Sequence, residues 1–433
     1  MAVRSMRVVP RYGMSPGAAS RDPYGQGPPD PDPITTMDGQ AGGEIRSFRR
    51  PDCYLCGSTG LDLYRDLRDR LFGVSGQWNL KRCPNAQCRL VWLDPMPAEE
   101  DIGKAYKRYY THTGVLDTTP AAAPKPLRSL LSEPRPLTTL PSALPRALQW
   151  QLYCRYWQMY RHIEQGYLRR TYNYTRGSGA RWHHYLAPLA FLFPAGLDGF
   201  DYTVSYLPAP AAGARCLEIG CGNGDQLASM QGFGWEVEGV DFDPLAVRAC
   251  RLRGLNVRTG TLAEQAYPDG YFDAVYMFHV VEHVHDPIGL LRECGRVLRP
   301  GGVMVVLTPN TESWGHHRFQ SSWLHLDPPR HLMLFSPVSL QAAVERAGFS
   351  IETLRTSVRI AAATWDISAE IRQTGMADMS RPAIGSSCAA TIFQLLVRAR
   401  ALVHRGAGEE IVLTARNLKR PYGQPIPQSI TDK

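Results

Sequence analysis

The sequence predicts an α/β fold, a doubly wound, Rossmann-like parallel sheet with a small zinc ribbon near the N-terminus. Between residues 214 and 356, short apolar segments alternate with segments of helical periodicity. This alternation is typical of a parallel sheet covered by helices. A glycine-rich turn follows the first apolar segment, and two close cysteine pairs stand near the N-terminus. The 433 residues exceed one usual domain, so we expect at least two.

The first predicted strand and its turn occupy residues 214–224, ARCLEIGCGNG. Glu218 stands near the end of the apolar run, and Gly220, Gly222 and Gly224 follow with the spacing G-x-G-x-G. The next residues have helical spacing, so the glycines are predicted on a strand-to-helix turn, where open α/β sheets bind ligands. Glycine permits the sharp turn and leaves no Cβ between the chain and a ligand.

Glu218, the acid beside this turn, indicates which kind of ligand the turn binds. The spacing differs from the G-x-G-x-x-G of dinucleotide-binding proteins, and Glu218 precedes the first glycine by two residues. A pyrophosphate requires helix-terminus amides and would be repelled by this carboxylate. S-adenosylmethionine, with its sulfonium and ammonium groups, would be attracted. A glycine-rich turn alone is equally consistent with an ordinary tight turn, so the following segments must decide.

The second predicted strand, residues 235–240, ends at Asp241, 23 residues after Glu218. This is near the position of the ribose-binding acid in nucleotide-binding folds, where a carboxylate accepts hydrogen bonds from both ribose hydroxyls. Asp243 stands directly before Pro244 and is predicted to cap the next helix instead. Further strands are predicted at residues 256–261, 272–278 and 303–308.

Residues of about 214–356 resemble class I S-adenosylmethionine-dependent methyltransferases. The matching segments are LEIGCGNG, VEGVDFDP, FDAVYMFHVVEHVHDP, LLRECGRVLRPGGVMVVLTPN and PPRHLMLFSPVSLQAAVERAGF. The resemblance implies that Glu218 reaches toward the methionine end of the cofactor and that Asp241 holds its ribose. Further cofactor contacts are implied at Gly220, Cys221, Gly222, Gly224, Phe242, Leu262 and His279.

Residues His279, Glu282 and His283 also match H-x-x-E-H, the inverted zinc-peptidase signature. Two histidines four residues apart on a helix could bind zinc, with Glu282 as the base. The segment, however, directly follows an apolar strand, whereas a peptidase motif would lie inside a long helix. A zinc peptidase is therefore a remote alternative. The favoured interpretation is that Glu282 and His283 bond the backbone of the loop.

Two cysteine pairs predict a structural zinc site. Cys53 and Cys56 are followed 27 residues later by Cys83 and Cys88, and four convergent thiolates suit tetrahedral zinc and leave no open position. Reduced thiol pairs or a disulfide are the alternatives. The other cysteines are predicted to be small core residues, and unpaired thiols favour the reducing cytoplasm. They are Cys154, Cys216, Cys221, Cys250, Cys294 and Cys388.

The segment CYLCGSTG…RCPNAQCRLVWLDPMP resembles the zinc-ribbon module of methyltransferases from sugar and natural-product pathways. In PPRHLMLFSPVSL, His331 matches the second histidine of the H-E-H-L-x-Y-F-S segment of sugar C-methyltransferases. That resemblance implies a role for His331 in proton removal. Arg330 and Pro329 replace the glutamate and first histidine of that segment, which leaves O-methylation open. The alternative is that His331 anchors the loop backbone.

We expect five regions along the chain. They are a disordered leader (1–50), a zinc-ribbon module (51–110), a proline-rich linker and helical segment (111–200), a methyltransferase domain (201–416) and a tail (417–433). Within the domain, residues 363–402 are predicted to form a helical insertion over the active site. No apolar run has the roughly 18 residues that a membrane span requires.

Composition and charge narrow the function. The chain is 44% hydrophobic and 20% charged, as soluble globular proteins are. Its net charge of +8 is scattered, and the zinc module has no aromatic–basic run, which disfavours a nucleic-acid partner. The leading hypothesis is a cytoplasmic methyltransferase acting on a small hydroxylated acceptor, with a sugar or nucleotide-sugar favoured. An RNA methyltransferase and a non-catalytic cofactor-binding scaffold are the alternatives. The oligomeric state is not predicted.

Overall fold

The structure is a computed structural model. It describes residues 45–106, 146–174, 185, 187–190, 196–379, 387–404 and 406–418. Most of the predicted leader, the proline-rich linker and nearly all of the tail lie outside these residues.

The described residues contain strands and helices separated by short turns. The strands are β1 (Ser47–Phe48), β2 (Leu61–Leu67), β3 (Trp78–Arg82), β4 (Val91–Leu93), β5 (Met96–Pro97), β6 (Arg215–Ile219), β7 (Glu236–Asp241), β8 (Val257–Thr259), β9 (Phe272–Phe278), β10 (Leu298–Pro309), β11 (Met333–Leu334), β12 (Phe349–Ser357) and β13 (Glu410–Asn417). The helices are α1 (Arg146–Tyr172), α2 (Gly196–Thr203), α3 (Asp225–Gly232), α4 (Pro244–Leu252), α5 (Pro287–Val297), α6 (Trp314–Phe319), α7 (Pro337–Arg346), α8 (Ala361–Thr374) and α9 (Cys388–Val403).

A seven-stranded sheet carries the site, with the order β12-β13-β10-β9-β6-β7-β8. The five strands from β10 to β8 are parallel, and β13 runs antiparallel to both of its neighbours. This confirms the predicted α/β class and the doubly wound sheet. Strands β12 and β13 form one edge of the sheet.

The parallel strands are apolar because helices cover both faces of the sheet. In β9 every residue except Asp273 is buried. The helices between the strands begin at predicted signals, since Asp243 accepts a hydrogen bond from the Leu245 amide at 2.9 Å and Pro244 is the first residue of α4. The short elements and their caps fix where each strand ends.

The chain reverses its direction of winding at β6. From β6 it proceeds outward to β7 and β8, and it then returns to β9 on the opposite side of β6. In doubly wound sheets, ligands bind at such a switch point, beside the carboxyl ends of the strands. The loops after β6, β7 and β9 therefore form the candidate site.

The N-terminal module shares a sheet with the methyltransferase domain. Strands β2, β3 and β4 are extended by β11, and Met333 pairs with Trp92 across the junction. The two parts also contribute to one hydrophobic core. The first strand of the module, Ser47–Phe48, pairs with β5, so ordered structure begins before residue 51, inside the predicted leader.

Two helical regions flank the sheet. Helix α1 spans the predicted aromatic-rich segment and packs on α2, where Ile163, Leu168 and Phe200 are buried together. Helices α8 and α9 form the predicted insertion between β12 and β13. Among the described helices, none combines the length and the apolar character that crossing a membrane requires.

Candidate active site

The glycine turn after β6 has left-handed backbone at each glycine, with φ of 68° at Gly220, 53° at Gly222 and 76° at Gly224. A Cβ on Gly220 would lie 2.4 Å from Cγ2 of Val280. Glycine is therefore required here by both the backbone conformation and the close approach of the loop after β9. The turn leads directly into α3, as predicted.

Asp241 lies at the carboxyl end of β7 and fixes the adjacent loops. Its two carboxylate oxygens accept hydrogen bonds from the amides of Gly222, at 2.7 Å, and of Asp243, at 2.9 Å. The residue is 7% exposed. The structure thus brings the predicted ribose acid against the predicted glycine turn.

The other predicted cofactor residues line the same edge of the sheet. The Glu218 carboxylate is fully buried and accepts a hydrogen bond from the Tyr276 hydroxyl at 3.2 Å. Cys221 and Leu262 are also buried, whereas Phe242 exposes 53% of its surface. An exposed aromatic ring beside the ribose acid could stack on a nucleoside base.

This group of side chains fits S-adenosylmethionine in its chemistry. Two carboxylates suit a ligand with positive charges and hydroxyl groups, and the glycine turn leaves the backbone accessible. Glu218 and Asp241 could hold the amino-acid and ribose ends, with Phe242 against the base. The individual contacts remain predictions.

His279 follows β9 with a left-handed φ of 55°. Its Nε2 lies 3.0 Å from the carboxylate of Glu410, and its Nδ1 lies 3.3 Å from Oε1 of Glu282. Burial alone would lower the pKa of His279, but these hydrogen bonds raise it above the usual value. The burial of Glu282 is opposed by His279, which lowers the pKa of Glu282 to about 2. An ion-paired histidine therefore borders the candidate cofactor pocket.

The H-x-x-E-H match does not form a peptidase site. Only Val281–His283 are helical, in a single 3-10 turn, and His279 precedes that turn. The two histidines therefore do not share a helix face. His283 bonds the carbonyl of Arg330 at 2.9 Å, as predicted for a loop residue. Glu282 differs from its prediction, because its carboxylate accepts a hydrogen bond from the Thr308 hydroxyl at 2.9 Å rather than from backbone.

His331 is brought to this same edge by the loop before β11. Its Nδ1 lies 2.6 Å from the carbonyl oxygen of His325, and its ring centroid is 4.6 Å from that of His283. His331 is 6% exposed. Burial lowers the pKa of His283 to about 4 and that of His325 to about 3, so both rings are neutral at pH 7.

Other side chains after β10 that could act as a base are Glu312, His316 and His317, and the first two have structural partners. Glu312 pairs with Arg89 at 2.8 Å. His316 bonds the Thr311 carbonyl at 2.6 Å through Nδ1, and its Nε2 lies 3.0 Å from the Tyr64 hydroxyl. His317 is exposed. These contacts favour His331 over Glu312 and His316 for the role of base.

The four predicted zinc ligands converge in the N-terminal module. Sγ of Cys53 lies 3.5 Å from that of Cys88, and Sγ of Cys56 lies 3.3 Å from that of Cys83. All four sulfur atoms fall within 4.8 Å of one another. Four thiolates around zinc would be about 3.8 Å apart, given bonds of about 2.3 Å. The donor set and its spacing therefore fit a tetrahedral zinc ion.

The remaining cysteines only partly match their prediction as core residues. Cys216, Cys221, Cys250 and Cys294 are buried, as predicted, but Cys388 is exposed at the start of α9. It occupies the first turn of a surface helix, where its side chain has no core to enter. The side chain of Cys154 lies outside the described part of the chain.

Arg330 is the residue whose importance the sequence did not reveal. Its side chain is fully buried and forms ion pairs with Asp69 of the N-terminal module, at 2.7 Å, and with Asp327. It also lies over the ring of Phe72, 4.6 Å from the centroid. The arginine that departs from the sugar C-methyltransferase pattern thus joins the module to the His331 loop. Nothing in the local sequence indicates a partner 261 residues away.

A cleft of about 920 Å³ lies where β2 and β3 of the module face the loop after β10 and the end of α9. Its described lining includes Arg82, Arg89 and Arg400, and also Glu312, whose carboxylate pairs with Arg89. The ring of His316 also lines this cleft and stacks on Trp323 at 4.6 Å. Sequence reasoning missed the cleft because its residues come from separate parts of the chain.

Stacked rings connect this cleft with the candidate cofactor edge. Trp323 contacts His325 at 5.0 Å between centroids, and His325 stacks on His279 at 6.4 Å. The cleft wall and the histidines after β9 therefore belong to one packed region.

The fold defines a Rossmann-like α/β protein of the methyltransferase type, with the candidate site at this edge of the sheet. A family model described as a methyltransferase domain matches residues 194–354. A "Probable S-adenosylmethionine-dependent methyltransferase" of Mycolicibacterium smegmatis is 37% identical over 143 residues, which are 33% of this chain and 54% of that protein. The chain thus spans about half the length of the first relatives it matches.

A longer match comes from a "Ubiquinone biosynthesis O-methyltransferase" of Cereibacter sphaeroides. It is 30% identical over 227 residues, which cover 42% of this chain and 92% of that relative. A crystal structure of a SAM-dependent methyltransferase from Archaeoglobus fulgidus is 22% identical, with a TM-score of 0.34, over 52% of this chain and 94% of that one. This chain belongs to the S-adenosylmethionine-dependent methyltransferases.

Proposed function

We propose that this enzyme methylates a hydroxyl oxygen of a small acceptor, with a sugar or nucleotide-sugar as the favoured class. S-adenosylmethionine supplies a methyl group on a sulfonium when bound. Asp241 is proposed to bind the ribose, and Glu218 the methionine end. The turn of Gly220, Cys221, Gly222 and Gly224 would lie along the cofactor. Phe242, Leu262 and His279 would complete the pocket.

The observation that carries the chemistry is the hydrogen bond of His331. A carbonyl oxygen only accepts, so the 2.6 Å contact with His325 requires the hydrogen on Nδ1 of His331. In the neutral ring, Nε2 then carries a lone pair that can accept a proton from an acceptor hydroxyl. A positioned base of this kind contributes roughly 10²- to 10⁴-fold to the rate.

Oxygen is favoured as the methylated atom for two reasons. A relative matched over 92% of its length is named an O-methyltransferase. In place of the glutamate of the C-methyltransferase segment stands Arg330, a cation that Asp69 and Asp327 hold in ion pairs. The cleft with Arg82, Arg89 and Arg400 supports an acceptor that carries phosphate. This charge is the reason for favouring a nucleotide-sugar over a neutral acceptor.

The N-terminal module is proposed to contain a structural zinc ion bound by Cys53, Cys56, Cys83 and Cys88. Its thiols are free of disulfides, as are the other described cysteines, and this supports a proposed location in the reducing cytoplasm. The module would then stabilise the His331 loop through β11 and Arg330 rather than take part in the reaction.

The experiment is methyl transfer from radiolabelled S-adenosylmethionine to separate pools of nucleotide-sugars, free sugars, phenols and RNA. We expect label in a hydroxylated small-molecule pool and none in RNA. His331→Ala should lower kcat by roughly 10²- to 10⁴-fold and leave the affinity for S-adenosylhomocysteine unchanged. His162→Ala, on α1, is the control and should retain full turnover.

Two outcomes would contradict the proposal. Saturable cofactor binding without label in any pool would favour the non-catalytic scaffold. Full turnover by the folded His331→Ala variant would remove His331 from the reaction. Because His331 is buried, His331→Asn provides a second variant, and circular dichroism reports whether each variant is folded.

A further inference from the structure

Glu282, His283 and His331 form a cluster that neither the methyl-donor pocket nor the zinc-ribbon site explains. A carboxylate oxygen of Glu282 and one ring nitrogen of each histidine lie within 4.8 Å of one another. Glu282 and His331 are buried, and His283 is half-buried. Three side chains capable of binding a metal thus meet beside the loop that follows β9.

The hydrogen bonds of both histidines leave a lone pair on the second ring nitrogen. Nδ1 of His283 lies 2.9 Å from the carbonyl oxygen of Arg330, and Nδ1 of His331 lies 2.6 Å from that of His325. Carbonyl oxygens only accept, so these contacts place the hydrogen on Nδ1 of each ring, and the Tyr106 hydroxyl, 2.9 Å from Nδ1 of His283, then accepts from the same N–H. Metal-binding histidines are commonly held in this way, with one nitrogen donating to a carbonyl and the other facing the metal.

Glu282 contributes a buried carboxylate whose ion pair with His279 leaves one oxygen, Oε1, without a well-aligned hydrogen bond among the described residues. Its Oε2 accepts from the Thr308 hydroxyl at 2.9 Å, but Oε1 makes no well-aligned hydrogen bond to the described residues, although Nδ1 of His279 lies 3.3 Å away. A buried, negatively charged oxygen is costly unless a cation or donor meets it. A cation bound among Glu282, His283 and His331, whose ligand atoms lie within 4.8 Å of one another, would offset that cost.

We propose that Glu282, His283 and His331 bind a divalent metal ion. Two imidazoles and one carboxylate form a mixed nitrogen and oxygen set that suits Mn²⁺, Fe²⁺ or Zn²⁺. Three protein ligands leave at least one position open, in contrast to the four thiolates of the N-terminal module. The cluster therefore has the composition of a reactive metal site rather than of a structural one.

The consequence for catalysis rests on the proposed function. An acceptor hydroxyl in the open position would have a lowered pKa and would release its proton to water. The oxygen forms its bond to the methyl carbon as the carbon–sulfur bond breaks, and S-adenosylhomocysteine leaves with the electron pair. In this arrangement the lone pair of His331 binds the cation and does not accept the proton, so this role replaces the role as the base proposed above.

The test is Mn²⁺ binding by the full-length chain, followed by the electron paramagnetic resonance signal of free Mn²⁺. Mn²⁺ prefers oxygen and nitrogen ligands over thiolates, so the cysteine cluster should contribute little. We expect one saturable Mn²⁺ per chain. Glu282→Gln, which preserves shape, and His331→Asn should each weaken binding at least tenfold. His162→Asn is the matched control and should bind as the unmodified chain does.

Chelation separates this inference from the proposed function. If EDTA abolishes methyl transfer and Mn²⁺ restores it, both stand. If chelated enzyme keeps full turnover while His331→Asn does not, His331 is the base and the metal site is overturned. If Mn²⁺ binds with the expected variant pattern but no acceptor is methylated, the metal site stands and the proposed function fails. Absence of saturable binding by Mn²⁺, Co²⁺ and Zn²⁺ beyond the cysteine site also overturns it.

Discussion

The N-terminal module and the carboxyl edge of the parallel sheet concentrate similar side chains but satisfy them differently. In the module, Asp69 accepts two hydrogen bonds from Arg330, and the four thiols have only one another as neighbours of their kind. At the sheet edge, Oε1 of the buried Glu282 has no hydrogen bond among the described residues, and Asp241 is proposed to bind the ribose. Satisfied groups stabilise the fold, whereas incompletely satisfied ones are typical of binding and catalysis. Substitutions in the two regions should therefore affect different properties.

The largest loss of stability is expected from Cys83→Ser in the N-terminal module. Loss of one thiolate removes the tetrahedral set, and in small metal-binding modules the metal supplies much of the folding free energy. We expect the chain to lose one zinc per molecule and the module to unfold, with a cost of several kcal/mol. Elemental analysis and thermal denaturation provide the measurements.

Cys388→Ser is the control for this substitution because Cys388 is exposed and outside the cluster. It should retain the metal and the melting temperature of the unmodified chain. A zinc-free Cys83→Ser protein with an unchanged melting temperature would show that the metal contributes nothing to the fold.

Arg330→Met is expected to lower the free energy of unfolding by a smaller amount. The substitution leaves Asp69 and Asp327 buried without their cation, and breaking a buried ion pair in this way costs about 3–5 kcal/mol. Arg416→Met is the matched control, since the pair of Arg416 with Glu352 is half-exposed and should contribute about 0–1 kcal/mol.

Urea denaturation followed by tryptophan fluorescence measures both variants. Equal destabilisation by the two arginine substitutions would contradict the structural role of Arg330. The double variant Arg330→Met/Asp69→Asn should regain part of the loss, because it removes one of the uncompensated charges.

The sequence predicted the sheet because its signals are local. The apolar run of β9, the cap at Asp243 and the glycines after β6 each specify their own conformation within a few residues. The spacing of Cys53, Cys56, Cys83 and Cys88 likewise predicted a cluster that the structure brings together. The individual contacts with the cofactor stay predictions.

The sequence could not predict contacts between residues that are far apart along the chain. The continuation of the module sheet by β11 requires the pairing of Trp92 with Met333, and the pairing of Asp69 with Arg330 spans 261 residues. The H-x-x-E-H match would require His279 and His283 to lie on one helix. His279 instead follows β9 with a positive φ, so the match does not form such a site. The structure instead groups Glu282 and His283 with His331, which no local pattern contains.

The smallest of the three effects should come from Asp241→Asn, and it should fall mainly on binding, because an asparagine can still accept from one of the Gly222 and Asp243 amides. The carboxylate is proposed to hold the ribose hydroxyls, and a hydrogen bond to a charged group contributes about 1.5–3 kcal/mol. We expect the Kd for S-adenosylhomocysteine to rise roughly 10- to 100-fold by isothermal titration calorimetry.

Asp243→Asn is a closely matched control, because the same substitution two residues later preserves a good N-cap. Since Asp243 accepts from the Leu245 amide inside the chain, its variant should bind the nucleoside normally. Equal weakening by both substitutions would mean that the loop after β7 acts as a whole, and the sheet edge would then be as structural as the module.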